Sequence, residues 1–330
     1  MNVLITGGAG YIGSHAVLAF LDAGHDVVVL DNLSTGRRHL VPSSVPLVEG
    51  DAGDPALVAD IIRQHKVGAV VHFAGSIVVP ESVEKPLLYY DNNTCVSRSL
   101  IEACVDGGVR HFIFSSTAAV YGMPPEGPIT EDTPTAPINP YGSSKLMTEW
   151  VLRDTALAHD FSYVALRYFN VAGADPEGRT GQSTPRATHL IKIASEVVVG
   201  LRNEIQLFGD DYDTPDGTCI RDYIHVSDLA AAHVDALRHL SAGGDSTVLN
   251  CGYGRGYSVR EVLQRVEQEA GVTLNIRTAP RRPGDAVTLV ADSSRIKERF
   301  GWQPAHDDLG VIVRTALDWE RQIAATAKSA

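Results

Sequence analysis

A glycine-rich run stands near the start of the chain, directly behind the apolar residues Val3-Leu4-Ile5. It reads Thr6-Gly7-Gly8-Ala9-Gly10-Tyr11-Ile12-Gly13. Glycines at these spacings permit a tight turn, let bare backbone approach a pyrophosphate, and let a following helix, predicted over His15 to Ala23, pack on the strand. The helix N-terminus then offers free N–H groups to phosphates. The run therefore predicts a strand, a dinucleotide-phosphate loop and a helix.

A carboxylate follows this loop at the spacing that dinucleotide sites use. Residues 26–30 read as a second strand that ends on Asp31, about 20 residues past the loop. Asp31 can accept hydrogen bonds from both hydroxyls of an adenosine ribose, and its charge would repel a 2′-phosphate. The sequence therefore favours NAD over NADP.

Strand-like and helix-like segments alternate along the first half of the chain. The strand-like runs that follow are Val45 to Glu49, Ala69 to Phe73, His111 to Ser115, Tyr163 to Tyr168 and, much later, Thr247 to Cys251. Such alternation, with apolar runs suited to strands covered on both faces, predicts an α/β fold with a doubly wound parallel Rossmann sheet. The dinucleotide-binding domain is expected over residues 1–170.

The alternation loosens after residue 170. The stretch from Gly173 to Arg186 is rich in Gly, Pro, Thr and Asp, which predicts a loop or a passage between domains. A helix over about His189 to Gly200, a loop-rich stretch that ends in Arg221 to His225, and a helix from Ser227 follow. We expect a smaller C-terminal α/β substrate-binding domain over residues 171–330, with the chain returning to the first domain from about 221 to 255.

Composition narrows the class of function. The chain has 330 residues, 44% of them hydrophobic, and a net charge of −12, which disfavours binding to nucleic acid or anionic membrane. It shows no secretory signal and no apolar run of membrane-spanning length, so a cytosolic enzyme is expected. Cys95, Cys104, Cys219 and Cys251 lack CxxC spacing and are predicted to be buried free thiols. The twelve histidines form no HExxH motif, and no metal is predicted.

A tyrosine and a lysine share one helical face. Tyr141 and Lys145 stand four residues apart behind Asn139-Pro140, an N-cap candidate followed by proline at the first helical position. The ammonium and a positive nicotinamide ring could stabilise a phenolate, whose pKa must fall by about three units, roughly 4 kcal/mol, to act near neutrality. Thr117 follows a predicted strand end at the sheet's carboxyl edge and could hydrogen-bond a hydroxyl shared with Tyr141.

Together these motifs resemble the extended short-chain dehydrogenase/reductases and, within them, the UDP-glucose 4-epimerase family. The resemblance spans nearly the whole chain. It rests on Thr6 to Gly13, Asp31 to Ser34, Gly50-Asp51, His72 to Gly75, Asn92-Asn93, Phe114 to Gly122, Asn139 to Glu149, Leu166 to Asn170, Gly217 to Asp228 and Arg281-Arg282-Pro283-Gly284-Asp285.

The resemblance implies NAD as a tightly held cofactor that is reduced and reoxidised in each turnover, and a UDP-sugar as substrate. It implies that Tyr141, Lys145 and Thr117 are catalytic. It assigns the cofactor to Gly7, Gly10, Tyr11, Ile12, Gly13, Asp31, Asn32, Ser34, Asp51, Ala52, Phe73, Ala74, Gly75, Asn93, Ser115, Tyr141, Lys145 and Tyr168. It assigns the UDP-sugar to Thr117, Tyr141, Asn170, His189, Leu190, Phe208, Arg221, Tyr223, Arg282, Asp285 and Leu289. It also suggests a homodimer that pairs helices Pro86 to Asp106 and Tyr141 to His159.

The sequence departs from the family pattern at a few positions. Ile77 stands where some members carry a lysine that reaches the cofactor, so one contact to NAD is missing. His189 replaces an Asn, and Thr117 replaces the Ser of some members; both can still hydrogen-bond. Leu289 aligns with a pocket residue that is Tyr in members restricted to unacetylated hexoses and small in members that accept N-acetylhexosamines. Leu289 either leaves room for UDP-N-acetylglucosamine or packs in the core.

Several other functions compete with this interpretation. A nucleotide-sugar 4,6-dehydratase needs added acid and base groups after the Thr, whereas Ala118-Ala119 follow Thr117 here. Epimerases of UDP-glucuronate or UDP-pentoses share the same chemistry and stay open. A non-catalytic NAD or nucleotide-sugar sensor is disfavoured by the intact Tyr141 and Lys145, and a hydrolase by the lack of a GxSxG elbow.

Overall fold

The structure is a computed structural model that describes residues 1–184, 187–282 and 284–329, with side chains through residue 326. Two residues named above, Arg186 at the end of the predicted loop and Pro283 of the Arg-Arg-Pro-Gly-Asp motif, lie outside the described residues.

Helices and strands alternate along the chain. The strands are β1 (Asn2–Thr6), β2 (Asp26–Asp31), β3 (Leu47–Glu49), β4 (Ala69–His72), β5 (His111–Ser115), β6 (Ser162–Tyr168), β7 (Asn170–Ala172), β8 (Ile205–Phe208), β9 (Ile220–His225), β10 (Thr247–Cys251), β11 (Gly256–Ser258), β12 (Ile276–Ala279) and β13 (Thr288–Leu289). The α-helices are α1 (Tyr11–Asp22), α2 (Pro55–His65), α3 (Val79–Glu84), α4 (Pro86–Tyr89), α5 (Val96–Asp106), α6 (Pro140–Ala158), α7 (Leu190–Val198), α8 (Val226–Ser241), α9 (Val259–Ala270), α10 (Ser294–Phe300) and α11 (Leu309–Ser329). Short 3₁₀ turns span Arg38–Leu40 and Ala118–Tyr121, and a π-helix spans Tyr90–Cys95.

The main sheet has seven parallel strands in the order β10-β6-β5-β4-β1-β2-β3. Helices cover both faces, because neighbouring residues of β1 bury into separate clusters: Val3 and Ile5 into one, Leu4 into the other. The prediction of a doubly wound parallel sheet is thus confirmed. The strand order reverses between β1 and β4, and open α/β sheets bind ligands at the carboxyl ends of such strands.

The second half of the chain adds one strand to this sheet and builds two smaller ones. β10 pairs with β6 at the edge of the main sheet, in the register Thr247 to Val164. β9 runs through a second sheet between β11 and β13 and also pairs with β7, and β8 pairs with β12. The sequence-based expectation of a loop-rich stretch ending at residues 221–225 was wrong there, because those residues form most of β9, whose last four residues are buried.

Local boundaries differ from the sequence-based expectations in a few places. Helix α1 begins at Tyr11 rather than His15, because the last glycine of the loop, Gly13, already lies in the first helical turn. β3 begins at Leu47 rather than Val45, whose N–H instead closes a turn onto the Pro42 carbonyl at 2.9 Å. All four cysteines are free, but Cys95 is exposed rather than buried. Within the described residues, no helix is both long and apolar enough to cross a membrane.

Candidate active site

The glycine loop between β1 and α1 is packed against its neighbours too closely for side chains. A Cβ on Gly7 would stand 2.6 Å from the backbone nitrogen of Ala74, and one on Gly13 would stand 2.1 Å from the Gly7 carbonyl oxygen. Gly7 has φ +71°, a region open to glycine. Helix α1 begins after Gly10 with no side-chain cap, so its first N–H groups remain available to an anionic ligand.

Asp31 is held at the end of β2 by the loop itself. Its carboxylate accepts N–H groups from Ala9 at 2.9 Å and from Leu33 at 2.8 Å, and it is 7% exposed. Two backbone bonds fix the carboxylate while each oxygen keeps a free lone pair for a ribose hydroxyl. Other residues assigned to the adenosine side lie on neighbouring turns: Asn32, Ser34 and Asp51 are exposed, and Ala52 is buried. The Asp51 carboxylate accepts the Gly53 N–H at 2.7 Å.

The carboxyl ends of β4 and β5 bring the next group together. Gly75, just past β4, would place a Cβ 3.0 Å from the Asn93 side-chain oxygen and 3.7 Å from the Lys145 ammonium nitrogen. Asn93 is buried and its oxygen accepts the Ser76 N–H at 2.7 Å. Lys145 donates to the Ser115 carbonyl at 3.0 Å. Gly75, Asn93, Ser115 and Lys145, which the resemblance assigns to the cofactor, are therefore neighbours in space.

Helix α6 presents Tyr141 to this edge. The Asn139 side chain caps the helix by accepting the Gly142 N–H at 2.9 Å, with proline at the first position, as predicted. Tyr141 is hydrogen-bonded to Thr117. Burial raises the pKa of Tyr141 above 10, while the bond from Thr117 lowers it. Burial also lowers the pKa of Lys145 to about 8.

Tyr168, the last residue of β6, lies at the same edge of the sheet. Its hydroxyl is hydrogen-bonded to the Ser115 side chain, and burial raises its pKa well above the usual value. Phe73 stands on the same edge with its ring centroid 4.7 Å from that of His233 on α8. On the opposite flank, the Tyr11 hydroxyl donates to the Gly173 carbonyl at 2.6 Å and ties α1 to the chain after β7.

A second group of predicted residues gathers on the smaller sheets. Arg221 on β9 lies 3.7 Å from the Asp285 carboxylate. Arg282 stacks its guanidinium 3.8 Å from the centre of the Phe208 ring. Tyr223 is buried and pairs in register with Asn170 of β7, while Leu289 pairs with Arg221. Guanidinium groups such as those of Arg221 and Arg282 are suited to binding a diphosphate.

His189 and Leu190 lie at the start of α7, and the described contacts of His189 are with residues other than these arginines. His189 pairs its Nδ1 with the Gln182 amide at 2.9 Å, and Leu190 begins helix α7. His189 lines a small cavity together with Val171, Gly173 and Trp319. Ile77, at the position of the lysine found in some family members, is 48% exposed.

Three buried polar residues near the site were not singled out from the sequence. Glu149 accepts hydrogen bonds from Ser116 at 2.5 Å and from Arg167, whose Nη2 lies 2.5 Å away. The spacing in the sequence could have indicated Glu149: it follows Lys145 by four residues and therefore shares the helical face of Tyr141.

Among the residues with described side chains, no group of three or more His, Cys, Asp or Glu is placed to hold a metal ion. The reactive groups of this edge are a phenol, an ammonium and a hydroxyl. That set suits proton transfer at a sugar hydroxyl next to a bound dinucleotide.

Comparison with known proteins agrees with this chemistry. Residues 3–252 match the sequence model of the NAD dependent epimerase/dehydratase family. The UDP-glucose 4-epimerase of Azospirillum brasilense is 61% identical over 322 residues, covering 98% of this chain and 92% of that protein.

Solved structures are similar over nearly the whole chain. A UDP-glucose 4-epimerase from Brucella ovis in complex with NAD is 45% identical with a TM-score of 0.93, covering 96% of this chain and 97% of that one. The UDP-Glc/GlcNAc 4-epimerase of Campylobacter jejuni is 49% identical with a TM-score of 0.85, covering 97% and 99%.

Proposed function

The chain belongs to the NAD dependent epimerase/dehydratase family, and from this membership we infer that it is an NAD-dependent UDP-glucose 4-epimerase. It interconverts UDP-glucose and UDP-galactose through a 4-keto sugar. The observation that supports this most directly is the meeting of Tyr141, Thr117 and Lys145 at the carboxyl edge beside the glycine loop. Residues 1–170, with the chain that returns in β10, form the cofactor-binding part, and the later sheets form the UDP-sugar-binding part.

The loop and strand ends fit the cofactor. The glycine loop and Asp31 would hold NAD, which when bound would supply a reversible hydride acceptor for the sugar C4. Tyr141 takes the proton of the 4-hydroxyl in the first half of the reaction and gives it back in the second. Thr117 holds the shared hydroxyl in line, and Lys145 supplies positive charge that favours the phenolate.

The diphosphate is held away from the reacting carbon. Arg221 and Arg282 grip it with charge-assisted bonds, and Phe208, Asn170 and Tyr223 line the path toward the sugar. Binding energy placed on the nucleotide leaves the 4-keto sugar free to turn over and present its other face. His189 and Leu190, at the start of α7, are assigned to the UDP-sugar by the family resemblance.

The function is tested by incubating the purified protein with UDP-galactose without added NAD and measuring UDP-glucose by a coupled assay. Conversion is expected, because the hydride returns to the sugar in each turnover and no external redox partner is consumed. Absence of conversion even with added NAD would overturn the hexose assignment. UDP-glucuronate and UDP-pentoses would then be assayed, and binding of NAD without turnover of any of them would indicate a sensor.

The substrate range extends to UDP-N-acetylglucosamine. Leu289 is half-buried in β13 beside Arg221 and packs against a small cluster that includes Val120, Leu146 and Phe169. The 49% identical Campylobacter jejuni protein is named a UDP-Glc/GlcNAc 4-epimerase. A leucine here is smaller than tyrosine and leaves space beside the sugar.

We expect Leu289→Tyr to lower kcat/KM for UDP-N-acetylglucosamine about tenfold relative to UDP-galactose, because a larger side chain would occupy space that the acetyl group needs. Both values are measured on the same preparations, so the UDP-galactose rate serves as the internal control. An unchanged ratio of the two kcat/KM values would show that Leu289 only packs in the core.

We also propose that the enzyme is a cytosolic homodimer. Helix α6 exposes Met147, Trp150 and Leu157 along one stripe, and the adjoining helices α3 and α4 expose Val83, Leu87 and Leu88. Contiguous exposed apolar side chains favour pairing with a second copy. The four free cysteines support the cytosolic location, because thiols stay reduced in that compartment. Sedimentation equilibrium of the holoenzyme tests the dimer: a monomer mass would contradict it.

A further inference from the structure

A buried ion pair lies directly beneath the catalytic edge. The side chains of Glu149 on α6 and Arg167 on β6 are 4% and 8% exposed. Both carboxylate oxygens are used: Oε1 accepts Arg167 Nε at 3.0 Å, and Oε2 accepts Nη2 at 2.5 Å. A bidentate pair of this kind fixes the orientation of both side chains.

The pair is extended at both ends by hydrogen bonds to uncharged side chains. Ser116 donates its hydroxyl to Glu149 Oε1 at 2.5 Å. Arg167 Nη1 donates to the Tyr121 hydroxyl at 3.0 Å, which in turn donates to the Asn250 side chain at 2.7 Å on β10. We call Ser116, Glu149, Arg167, Tyr121 and Asn250 the Glu149 cluster.

Two members of this cluster adjoin, in the sequence, a residue that faces the substrate or cofactor. Ser116 precedes Thr117, and Arg167 precedes Tyr168. Glu149 lies on the helical face of Tyr141 and Lys145, one turn beyond the lysine. The cluster therefore connects, through side chains alone, the helix that carries Tyr141 to the strand end that carries Thr117.

We propose that Ser116 and Glu149 are positioning residues for the epimerisation, which set the distance between the Thr117 hydroxyl and the Tyr141 phenol. Ser116 anchors the chain just after β5, where the strand's own ladder ends: its N–H bonds to Leu166 at 2.9 Å, and its side chain bonds to α6. The Thr117 hydroxyl also accepts the Ala119 N–H at 3.1 Å, but without the Ser116 side chain the backbone that carries both groups is no longer tied to α6. The proposal rests on the function inferred above.

Three other groups face Tyr141, and two of them, Lys145 and Tyr168, are hydrogen-bonded to Ser115 rather than to Ser116. Lys145 belongs to the same helix, Tyr168 faces Tyr141 from β6, and Tyr89 faces it from α4. None of these three is bonded to the Ser116 side chain in the described residues. A change at Ser116 therefore acts on the phenol through Thr117.

The test replaces Ser116 by alanine, which removes one hydroxyl and leaves the Glu149–Arg167 pair intact. We expect kcat for UDP-galactose to fall about tenfold with KM within about twofold, because a misaligned hydroxyl slows chemistry more than binding. The acid limb of the kcat profile is expected to move up by about half a pH unit, since Tyr141 loses a bond that favours its charged form. Hydrogen exchange in peptides over residues 115–121 is expected to speed up.

Ser293→Ala is the matched control. Its hydroxyl is also buried and joins two segments, donating to the Gly252 carbonyl at 2.5 Å, and across the part of the chain that the structure describes it is hydrogen-bonded to no residue assigned to the site. A lowered melting temperature with an unchanged acid limb in both variants would overturn the positioning role. If the wild type epimerises no UDP-sugar, the inferred function fails, while unchanged exchange over residues 115–121 in Ser116→Ala would separately overturn the anchor.

Discussion

Tyr141→Phe is expected to lower kcat for UDP-galactose about 10³-fold, within the range that removal of a general acid–base group produces. Phenylalanine keeps the ring and its packing but removes the phenol that we assign to take the proton of the sugar 4-hydroxyl. Thr117, which would remain, is a far weaker base. Most NAD retention is expected to be kept, because the glycine loop and Asp31 remain in place when this one hydroxyl is lost.

The pH profile gives this prediction a second readout. Burial raises the pKa of Tyr141, and the Thr117 bond lowers it. The positive nicotinamide and Lys145 are needed to bring it further down. Wild-type kcat should therefore rise with pH as the phenolate forms, and this acid limb should be absent from the residual activity of Tyr141→Phe.

Tyr253→Phe is the appropriate control for this substitution. Tyr253 is buried and donates its hydroxyl to Asp228 at 2.5 Å, away from the catalytic edge. Its loss is expected to lower the melting temperature while kcat stays within about twofold of wild type, as for a buried hydrogen bond with no part in the chemistry. More than a tenth of wild-type kcat in Tyr141→Phe would contradict the assigned acid–base role.

Features fixed by local backbone chemistry could be predicted from the sequence. The glycine loop, the Asn139 cap and the alternation of β1 to β6 all depend on residues close together in the chain. The sequence pattern places the start of α1 too late, because it begins the helix after the last glycine of the loop. Gly13 must already be helical to pack on Gly7.

Features that depend on distant partners could not be predicted. Strand β9 carries the charged residues Arg221 and Asp222, which made its stretch read as a loop, and only its pairing with β7, β11 and β13 makes it a strand. Glu149 was not singled out from the sequence, because its partners, Ser116 just after β5 and Arg167 on β6, lie far from it in the chain. Contacts between residues that are far apart in the sequence leave no pattern among neighbouring residues.

Gly13→Ala is expected to produce a protein that no longer retains NAD, with affinity lowered at least about 100-fold. The added Cβ would stand 2.1 Å from the Gly7 carbonyl oxygen, 2.8 Å from its carbon and 2.9 Å from the Gly8 Cα. All three are backbone atoms that cannot rotate away. The loop must therefore move off α1, and the N–H groups that would meet the pyrophosphate lose their common direction.

The measurement is the NAD released from the denatured, purified protein, with the melting temperature taken alongside. Gly68→Ala is the matched control, because its Cβ would meet the flexible Met1 side chain at 3.2 Å rather than backbone. Gly10→Ala should fall between the two, since its nearest contact, the Gly7 carbonyl oxygen, stands 3.1 Å away. Loss of NAD that follows this order of distances would place cofactor retention in the shape of the loop. Full retention by Gly13→Ala would place it in the side chains around Asp31 and Asn93 instead.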